Sequence, residues 1–185
     1  MFLLKQYPEY IFNFEGAVKY AWMKEYYPAQ YEEMKKFIES GRWHISGASW
    51  DATDTLVPSI ESAIRNIMLG QDYYRKEFGV ESTDIFLPDC FGFGWTLPAI
   101  ASHCGLIGFS SQKLQWRNKP FYGNDKYPFT VGLWQGIDGS TIMMTHGYDY
   151  NQRFEDGDLS ENKDLLELTG HSPLHMVYRL SLIHI

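Results

Sequence analysis

Asp89 is the residue of this chain most clearly placed for chemistry, because it stands as a single acid in the stretch DIFLPDCFGFGWTLPAI, residues 84–100. The apolar run IFL before it is typical of the end of a buried strand, and Pro88 stops pairing along a sheet. Gly92 and Gly94 permit backbone conformations that other residues avoid. An acid between a strand and a glycine-rich segment is either a turn or capping residue or a functional carboxylate, and the local pattern leaves both interpretations open.

Further carboxylates follow two other strand-like segments. Asp51 and Asp54 lie in SWDATDTLVPS, before a long helical pattern, and are either solvated capping residues or ligands of sugar hydroxyls. His146 and Asp149 lie in THGYDY, just after a strand-like run. A glycosidase needs two carboxylates, one ionised as nucleophile and one protonated as acid. A hydrolytic zinc site needs carboxylate or His ligands around an open position, so the spacing fits both chemistries.

Helical patterns occupy the segments that must position these loops. YAWMKEYYPAQYEEMKKFIESG predicts two helices separated at Pro28 and ending at Gly41. SIESAIRNIMLGQDYYRKEFG predicts one long helix, with Ser59 as its N-cap and Gly79 as its end. Residues at helical spacing predict one apolar face on this helix: Ile60, Ile64, Ile67 and Met68.

Shorter segments complete an alternation of helices and strands. RWHISGAS, DIFLP and GLIGFSS predict strands, and WTLPAIASHCG predicts a helix closed by Gly105. PFTVGLWQG and STIMMTHGY predict a hairpin around Asp138-Gly139, and DLSENKDLLELTG predicts a last helix. This order predicts an α/β fold with a mainly parallel sheet and flanking helices, whose strand-end loops collect the candidate residues. His44 and His103 are interpreted as structural.

Composition places the chain among globular proteins and excludes several partners. Its 185 residues, 44% hydrophobic and 21% charged, are enough for one domain with a core. The formal net charge of −7 argues against a nucleic-acid partner, which needs a basic face. Aromatic residues make up 17%, and their rings either fill a core or stack on sugars. Cys90 and Cys104 are too few for a disulfide framework, no run is long enough for a membrane span, and MFLLKQYPEY contains no visible signal peptide. The sequence carries no signal for an oligomeric state or a compartment.

A series of motifs, in order, resembles the N-terminal catalytic domain of the α-mannosidases of glycoside hydrolase family 38. The motifs are GRW, SWD, ESAIR, EFG, LPDCFGFGWTLP, GLIGFSSQKLQW and LWQGIDG, and the likeness extends over roughly residues 7–160. The resemblance implies a barrel-like parallel sheet with flanking helices, an incomplete (β/α)-barrel of the glycoside hydrolase and deacetylase type. It also implies one zinc ion, and hydrolysis of α-mannosides in glycans with retention, through a covalent glycosyl-enzyme.

The resemblance implies roles for individual residues. Asp89 matches the Asp of the family's PD-x-FG motif, which is both nucleophile and zinc ligand. Asp54 matches an Asp in a loop near the sugar site, and Trp50 and Trp95 are the aromatic candidates for substrate binding. Asp149, on the loop after the hairpin, is the candidate general acid. At position 52 relatives often carry an acid or a larger residue where this chain has alanine, so the shape of that subsite departs from the family pattern.

Departures from the family pattern lead us to expect a fragment. The family's first strand carries an H-x-D pair that supplies two zinc ligands, and this sequence contains no H-x-D. The family's remaining His ligand falls beyond residue 185, so Asp89 is the one expected metal ligand present. We expect residues 1–185 to be a partial catalytic domain that lacks its first strand and its C-terminal part and is inactive by itself. The abrupt apolar ending predicts a truncation, or a non-native tail at residues 180–185.

Two other functions fit parts of the pattern. A non-catalytic glycan-binding module would use the aromatic residues as stacking platforms and would need neither a metal nor Asp89. A polysaccharide deacetylase-like enzyme would want a metal motif with two histidines, and no such motif occurs in the sequence. The acid in LPDCFGFG favours the mannosidase, because a binding module has no use for a carboxylate in that turn.

Overall fold

The computed structural model describes residues 1–90, 92–111 and 131–146, which form an α/β structure. In chain order the described elements are α1 (Phe2–Gln6), β1 (Phe12–Phe14), α2 (Ala17–Tyr26), α3 (Pro28–Glu39), β2 (Trp43–Ile45), α4 (Ile60–Phe78), β3 (Asp84–Phe86), α5 (Leu97–His103), β4 (Gly108–Ser111), β5 (Val131–Gln135) and β6 (Thr141–His146). They belong to a compact unit that spans Met1–Gly147. The second unit, Tyr148–Ile185, lies outside the described residues, and so do Asp149, the last predicted helix and the tail at 180–185.

The strands form two sheets that are mainly parallel, as predicted. Strands β1 and β2 pair in parallel, and the larger sheet has the order β3-β4-β6-β5. Strands β3, β4 and β6 are parallel, whereas β5 and β6 form the predicted antiparallel hairpin. The segment after β2 runs beside β3, because the Ala48 amide donates to the Asp84 carbonyl at 2.8 Å. Among the described strands the sheets do not close, so the parallel sheet with flanking helices is confirmed and the barrel is not.

Helix α4 begins and ends where its capping residues predict. The Ser59 hydroxyl accepts a hydrogen bond from the Ser62 amide, and Gly79 adopts the left-handed conformation with φ of +68°. These are the standard signals for the first and last turns of a helix. Pro28 also acts as expected from its chemistry, since it separates α2 from α3 by standing at the first position of α3.

The buried face of α4 differs from the predicted one. Ile67 is buried, but Ile60 and Met68 are 53% and 60% exposed, so their assignment to the core face was wrong. The face that packs inward also carries Gly70 and Gln71, which an apolar pattern does not reveal. Gln71 is satisfied in the interior because its side-chain amide exchanges two hydrogen bonds with the backbone of residue 82.

Gly70 permits the closest contact of α4 with the sheet. A Cβ atom at this position would lie 2.2 Å from the carbonyl oxygen of Ala48 and 2.4 Å from the carbonyl carbon of Ser49. No side chain fits at those distances, so a glycine is required for the helix to cross the segment that follows β2. This crossing holds residues 48 and 49 in place beside β3.

Two hydrophobic clusters lie on either side of this crossing. The sheet core packs β3, β4 and β6 against α4 and α5; its buried members are Ala48, Ile67, Ile85, Leu87, Leu97, Ile100, Ala101, Leu106, Phe109, Ile142 and Met144. The aromatic core packs β1 and β2 against α1 to α4; its buried members are Leu4, Ala17, Tyr20, Tyr31, Met34, Trp43, Ile45 and Tyr74. Much of the aromatic enrichment of the sequence therefore fills a core.

Candidate active site

Asp89 lies in the turn between β3 and α5, as the sequence predicts. Pairing along the sheet ends with the Leu87 amide, which donates to the Ser110 carbonyl at 3.0 Å, and α5 begins at Leu97. Pro88 and Asp89 form a turn between these two points, and the Asp89 side chain is exposed. Strand-end loops of this kind carry functional groups in parallel α/β folds, because the scaffold below them is rigid.

Asp54 organises the neighbouring loop, which connects β2 to α4. Its Oδ1 atom accepts hydrogen bonds from the amides of Leu56 and Val57, at 2.7 and 3.2 Å. This is the turn role that short acidic side chains often have. The residue is nevertheless exposed, which leaves its carboxylate facing solvent.

The loop that contains Asp54 contacts the loop that contains Asp89. The Cys90 thiol donates to the Thr53 carbonyl at a Sγ–O distance of 3.1 Å. The Thr55 hydroxyl donates to the Gly92 carbonyl at 2.7 Å. Burial raises the pKa of the Cys90 thiol, and the negative charges of Asp54 and Asp89 raise that pKa further. Two predicted site residues, Asp54 and Asp89, are therefore brought to the same rim.

Glu15 is a third carboxylate at this rim, and it was not among the residues predicted from the sequence. It follows β1 directly, pairs with Lys19, and its side chain is 16% exposed. Its negative charge contributes to the raised pKa of Cys90 as well. The signal was present in YIFNFEG, which repeats the pattern of IFLPD: a short apolar strand followed by an acid. Strand β1 itself was also missed, because three residues are too few for a clear period-2 pattern.

The two tryptophans predicted to bind substrate occupy different environments. Trp95 is 78% exposed and lies just before α5. Trp50 is half-buried and packs edge-on against Tyr73, with ring centroids 5.8 Å apart. Its backbone is held on both sides, since its amide donates to Asn66 and its carbonyl accepts from Val18. Trp95 therefore has an exposed ring face, whereas Trp50 mainly joins the aromatic core.

The described residues do not form a metal site by themselves. Within residues 1–90, 92–111 and 131–146, no three His, Cys, Asp or Glu side chains gather as a metal site requires. His103 lies on α5 and its Nε2 is 3.0 Å from an Asp138 carboxylate oxygen, a contact that joins α5 to the turn between β5 and β6. His146 ends β6, but its side chain is outside the described part of the structure, and the candidate acid Asp149 is outside it altogether.

Comparison with known proteins identifies the family of the chain. The model of the glycosyl hydrolases family 38 N-terminal domain matches residues 1–170. Alpha-mannosidase G of Dictyostelium discoideum is 37% identical over 166 residues, which cover 86% of this chain and 15% of that protein. Human alpha-mannosidase 2C1 is 32% identical over 142 residues, covering 77% of this chain and 13% of that protein. The chain thus spans about one seventh of the length of these curated relatives.

Solved structures support the same fold. An alpha-mannosidase from Enterococcus faecalis V583 superposes with a TM-score of 0.66 at 23% identity, over 78% of this chain and 16% of that one. A 4-alpha-glucanotransferase from Thermococcus litoralis gives a TM-score of 0.63 at 16% identity, over 78% of this chain and 22% of that one. These likenesses describe the fold. Together with the family match, they place this protein in a class of α/β glycosyl hydrolase domains.

The chain belongs to family 38 of the glycosyl hydrolases and corresponds to the N-terminal domain of that family. In the part of the chain that the structure describes, no helix has the length and apolar character needed to cross a membrane.

Proposed function

We propose that the whole protein to which this chain contributes is a retaining α-mannosidase that hydrolyses α-mannosides in glycans. The observation that carries the proposal is Asp89, an exposed carboxylate in the turn after β3, held beside the Asp54 loop in a chain of family 38. The activity is in keeping with the relatives, which are named alpha-mannosidases.

In this proposal Asp89 is the nucleophile. Its ionised carboxylate attacks the anomeric carbon of the mannoside and forms a covalent glycosyl-enzyme ester, while Asp149 protonates the departing oxygen as the candidate general acid. Asp149 then removes a proton from the water that hydrolyses the ester, which gives net retention.

Substrate recognition is assigned to three further residues. Asp54 accepts hydrogen bonds from sugar hydroxyls, and Trp95 offers its exposed ring as a stacking surface. Trp50 supports the β2–α4 loop, which carries Asp54. The Asp54 carboxylate has this capacity in addition to its turn role, because a carboxylate has about four acceptor positions and the Leu56 and Val57 amides use one oxygen.

One zinc ion is proposed for the whole protein, with Asp89 as a ligand. The described residues supply too few ligands to hold it, so the remaining ligands must come from other parts of the whole protein. When bound, zinc would keep a coordinated carboxylate ionised and orient sugar hydroxyls. It follows that the 185-residue chain, taken alone, is proposed to be inactive.

The test is an activity assay on the full-length protein. Wild type should release the aryl group from an aryl α-mannoside, and Asp89→Asn should lower kcat by at least about 1,000-fold, since the covalent step is lost. Asp72→Asn, at a half-exposed residue of α4 that pairs with Lys76, is the matched control and should keep wild-type activity. Chelation should abolish turnover, and added zinc should restore it.

The alternatives predict other results in the same assay. If wild type binds mannosides without cleaving them and Asp89→Asn binds equally well, the protein is a glycan-binding module. If Asp89→Asn retains near-normal turnover, Asp89 is not the nucleophile. Activity of the isolated 185-residue chain would contradict the proposed dependence on the rest of the protein.

A further inference from the structure

The loop that carries Asp89 is joined to its neighbour by a set of contacts that the family assignment does not explain. We name this set the loop clasp; it consists of Thr53, Thr55, Cys90 and Gly92. Two hydrogen bonds cross it, from the Cys90 thiol to the Thr53 carbonyl at 3.1 Å and from the Thr55 hydroxyl to the Gly92 carbonyl at 2.7 Å. One of these bonds involves the residue directly after Asp89.

The clasp contacts are short enough to set the position of the loop. A Cβ atom on Gly92 would lie only 2.4 Å from Cδ1 of Leu56, so the Leu56 side chain lies directly against the backbone of Gly92. The 53–57 segment is stiffened in turn by Asp54, whose Oδ1 accepts from the Leu56 and Val57 amides. The nucleophile loop is therefore fastened to a segment that is itself ordered.

A small cavity lies beside the clasp. It is lined by Thr53 and Thr55 together with the apolar side chains of Ile85, Leu87 and Ile100. Because the segment of Thr53 and Thr55 borders this cavity, it has fewer packing contacts on that side, and the two hydrogen bonds of the clasp contribute more to its position.

We propose that Thr55 is a positioning residue for Asp89: through the loop clasp, its hydroxyl sets where the Asp89 carboxylate stands relative to Asp54. This inference rests on the proposed mannosidase function for its catalytic consequence. Thr55 does not touch the reacting atoms; it acts through the backbone of the nucleophile loop. Small displacements of a reacting group are costly, because attack needs near-linear alignment within a few ångströms.

The experiment compares three variants of the full-length protein. Thr55→Val removes the hydroxyl and keeps the shape, and it should lower kcat on an aryl α-mannoside about tenfold to a hundredfold with KM within about twofold. Thr55→Ser keeps the hydroxyl and should retain near-wild-type kcat. Thr141→Val makes the same chemical change at an exposed position at the start of β6 and should have no effect.

A second measurement, independent of activity, separates loss of the clasp from loss of the fold. Cys90 and Cys104 are both free and half-buried, so Cys104 is an internal reference. Peptide mapping of iodoacetamide-treated protein should show alkylation of Cys90 rising about fivefold or more in Thr55→Val, with Cys104 unchanged.

Each result has a defined meaning. The inference is overturned if Thr55→Val turns over like wild type, if Thr55→Ser is equally impaired, or if both cysteines become reactive together, which would indicate general destabilisation. Failure of the proposed function is recognised separately, because wild type itself would then lack α-mannosidase activity while the alkylation pattern still reports the clasp.

Discussion

The aromatic core and the loop clasp are held together in opposite ways. In the aromatic core, ring-to-ring contacts and buried hydroxyls surround Tyr20, whose OH accepts from Trp43 Nε1 and donates to the Phe14 carbonyl, both at 3.0 Å. In the clasp, two hydrogen bonds connect half-exposed loops in front of a cavity. We expect the aromatic core to contribute mainly to the free energy of unfolding, and the clasp mainly to the position of the Asp89 carboxylate. A change in the first should unfold the protein, and a change in the second should misplace a carboxylate.

The largest expected effect comes from the crossing of α4 over residues 48 and 49, which lies between the aromatic core and the sheet core. Gly70→Ala would place a Cβ atom 2.2 Å from the Ala48 carbonyl, which is backbone and has little room to move. We expect the free energy of unfolding to fall by about 3 kcal/mol or more. Gly79→Ala is the control, because that Cβ meets nothing within 4 Å and the cost of about 1–2 kcal/mol comes from φ of +68° alone. Thermal unfolding of the full-length variants measures both, and equal losses would refute the steric argument.

Removal of one buried hydroxyl should have the next largest effect. Tyr20→Phe removes the acceptor of the Trp43 indole N–H and leaves the Phe14 carbonyl with the Ser46 amide as its donor, and Tyr20 is 1% exposed. We expect a loss of about 2 kcal/mol. Tyr26→Phe, at a position that is 64% exposed, should change stability by less than about 0.5 kcal/mol. Denaturant midpoints of the two variants should therefore differ; similar midpoints would mean that the buried network contributes little.

The aromatic core should also make the protein sensitive to alkali. Burial raises the pKa of Tyr20 and of Tyr74 well above the ordinary value. Because the folded pKa is the higher one, the stability is fully present below the unfolded pKa of about 10 and falls by roughly 1.4 kcal/mol per pH unit above it for each residue. Phenolate absorbance and far-UV circular dichroism should change together above pH 10. Smooth ionisation without loss of structure would contradict this prediction.

The smallest stability effect is expected in the clasp. The Cβ of Gly92→Ala would meet the end of the Leu56 side chain, which is flexible and 60% exposed, so the cost should stay below about 1 kcal/mol. If the clasp sets the position of Asp89, kcat should nevertheless fall about tenfold. Adding Leu56→Ala removes the clash and should restore turnover. An unchanged kcat in Gly92→Ala would show that the loop tolerates displacement.

The parts of the fold that sequence predicts best are those with local chemical causes. Ser59 and Gly79 define α4 because capping depends on neighbouring residues, and the hairpin follows from Asp138-Gly139 in the same way. The buried face of α4 was misassigned because Gly70 and Gln71 face inward for reasons that lie in distant segments, a close backbone crossing and a buried amide network. The periodicity of apolar residues within one segment contains no information about contacts with distant segments.

In the candidate site, too, residues in local motifs could be predicted from the sequence, whereas contacts between distant segments could not. Asp89 and Asp54 could be identified from motifs, because each stands in a recognisable strand-end loop. Glu15 could have been found by the same pattern but follows a strand of three residues. The hydrogen bond between Thr55 and Gly92 could not be predicted, because it depends on the distance between the β2–α4 loop and the β3–α5 loop in the folded protein.

The clasp also has a consequence for the order of events during synthesis. Its two sides, Thr55 and Gly92, are 37 positions apart and belong to one β2–α4–β3 unit. At ribosomal rates of about 5–20 residues per second, both sides emerge within a few seconds of each other. Asp54 and Asp89 can therefore meet before the β5–β6 hairpin has been made. The part of the protein made after Gly92 would then fold onto two loops that are already in contact.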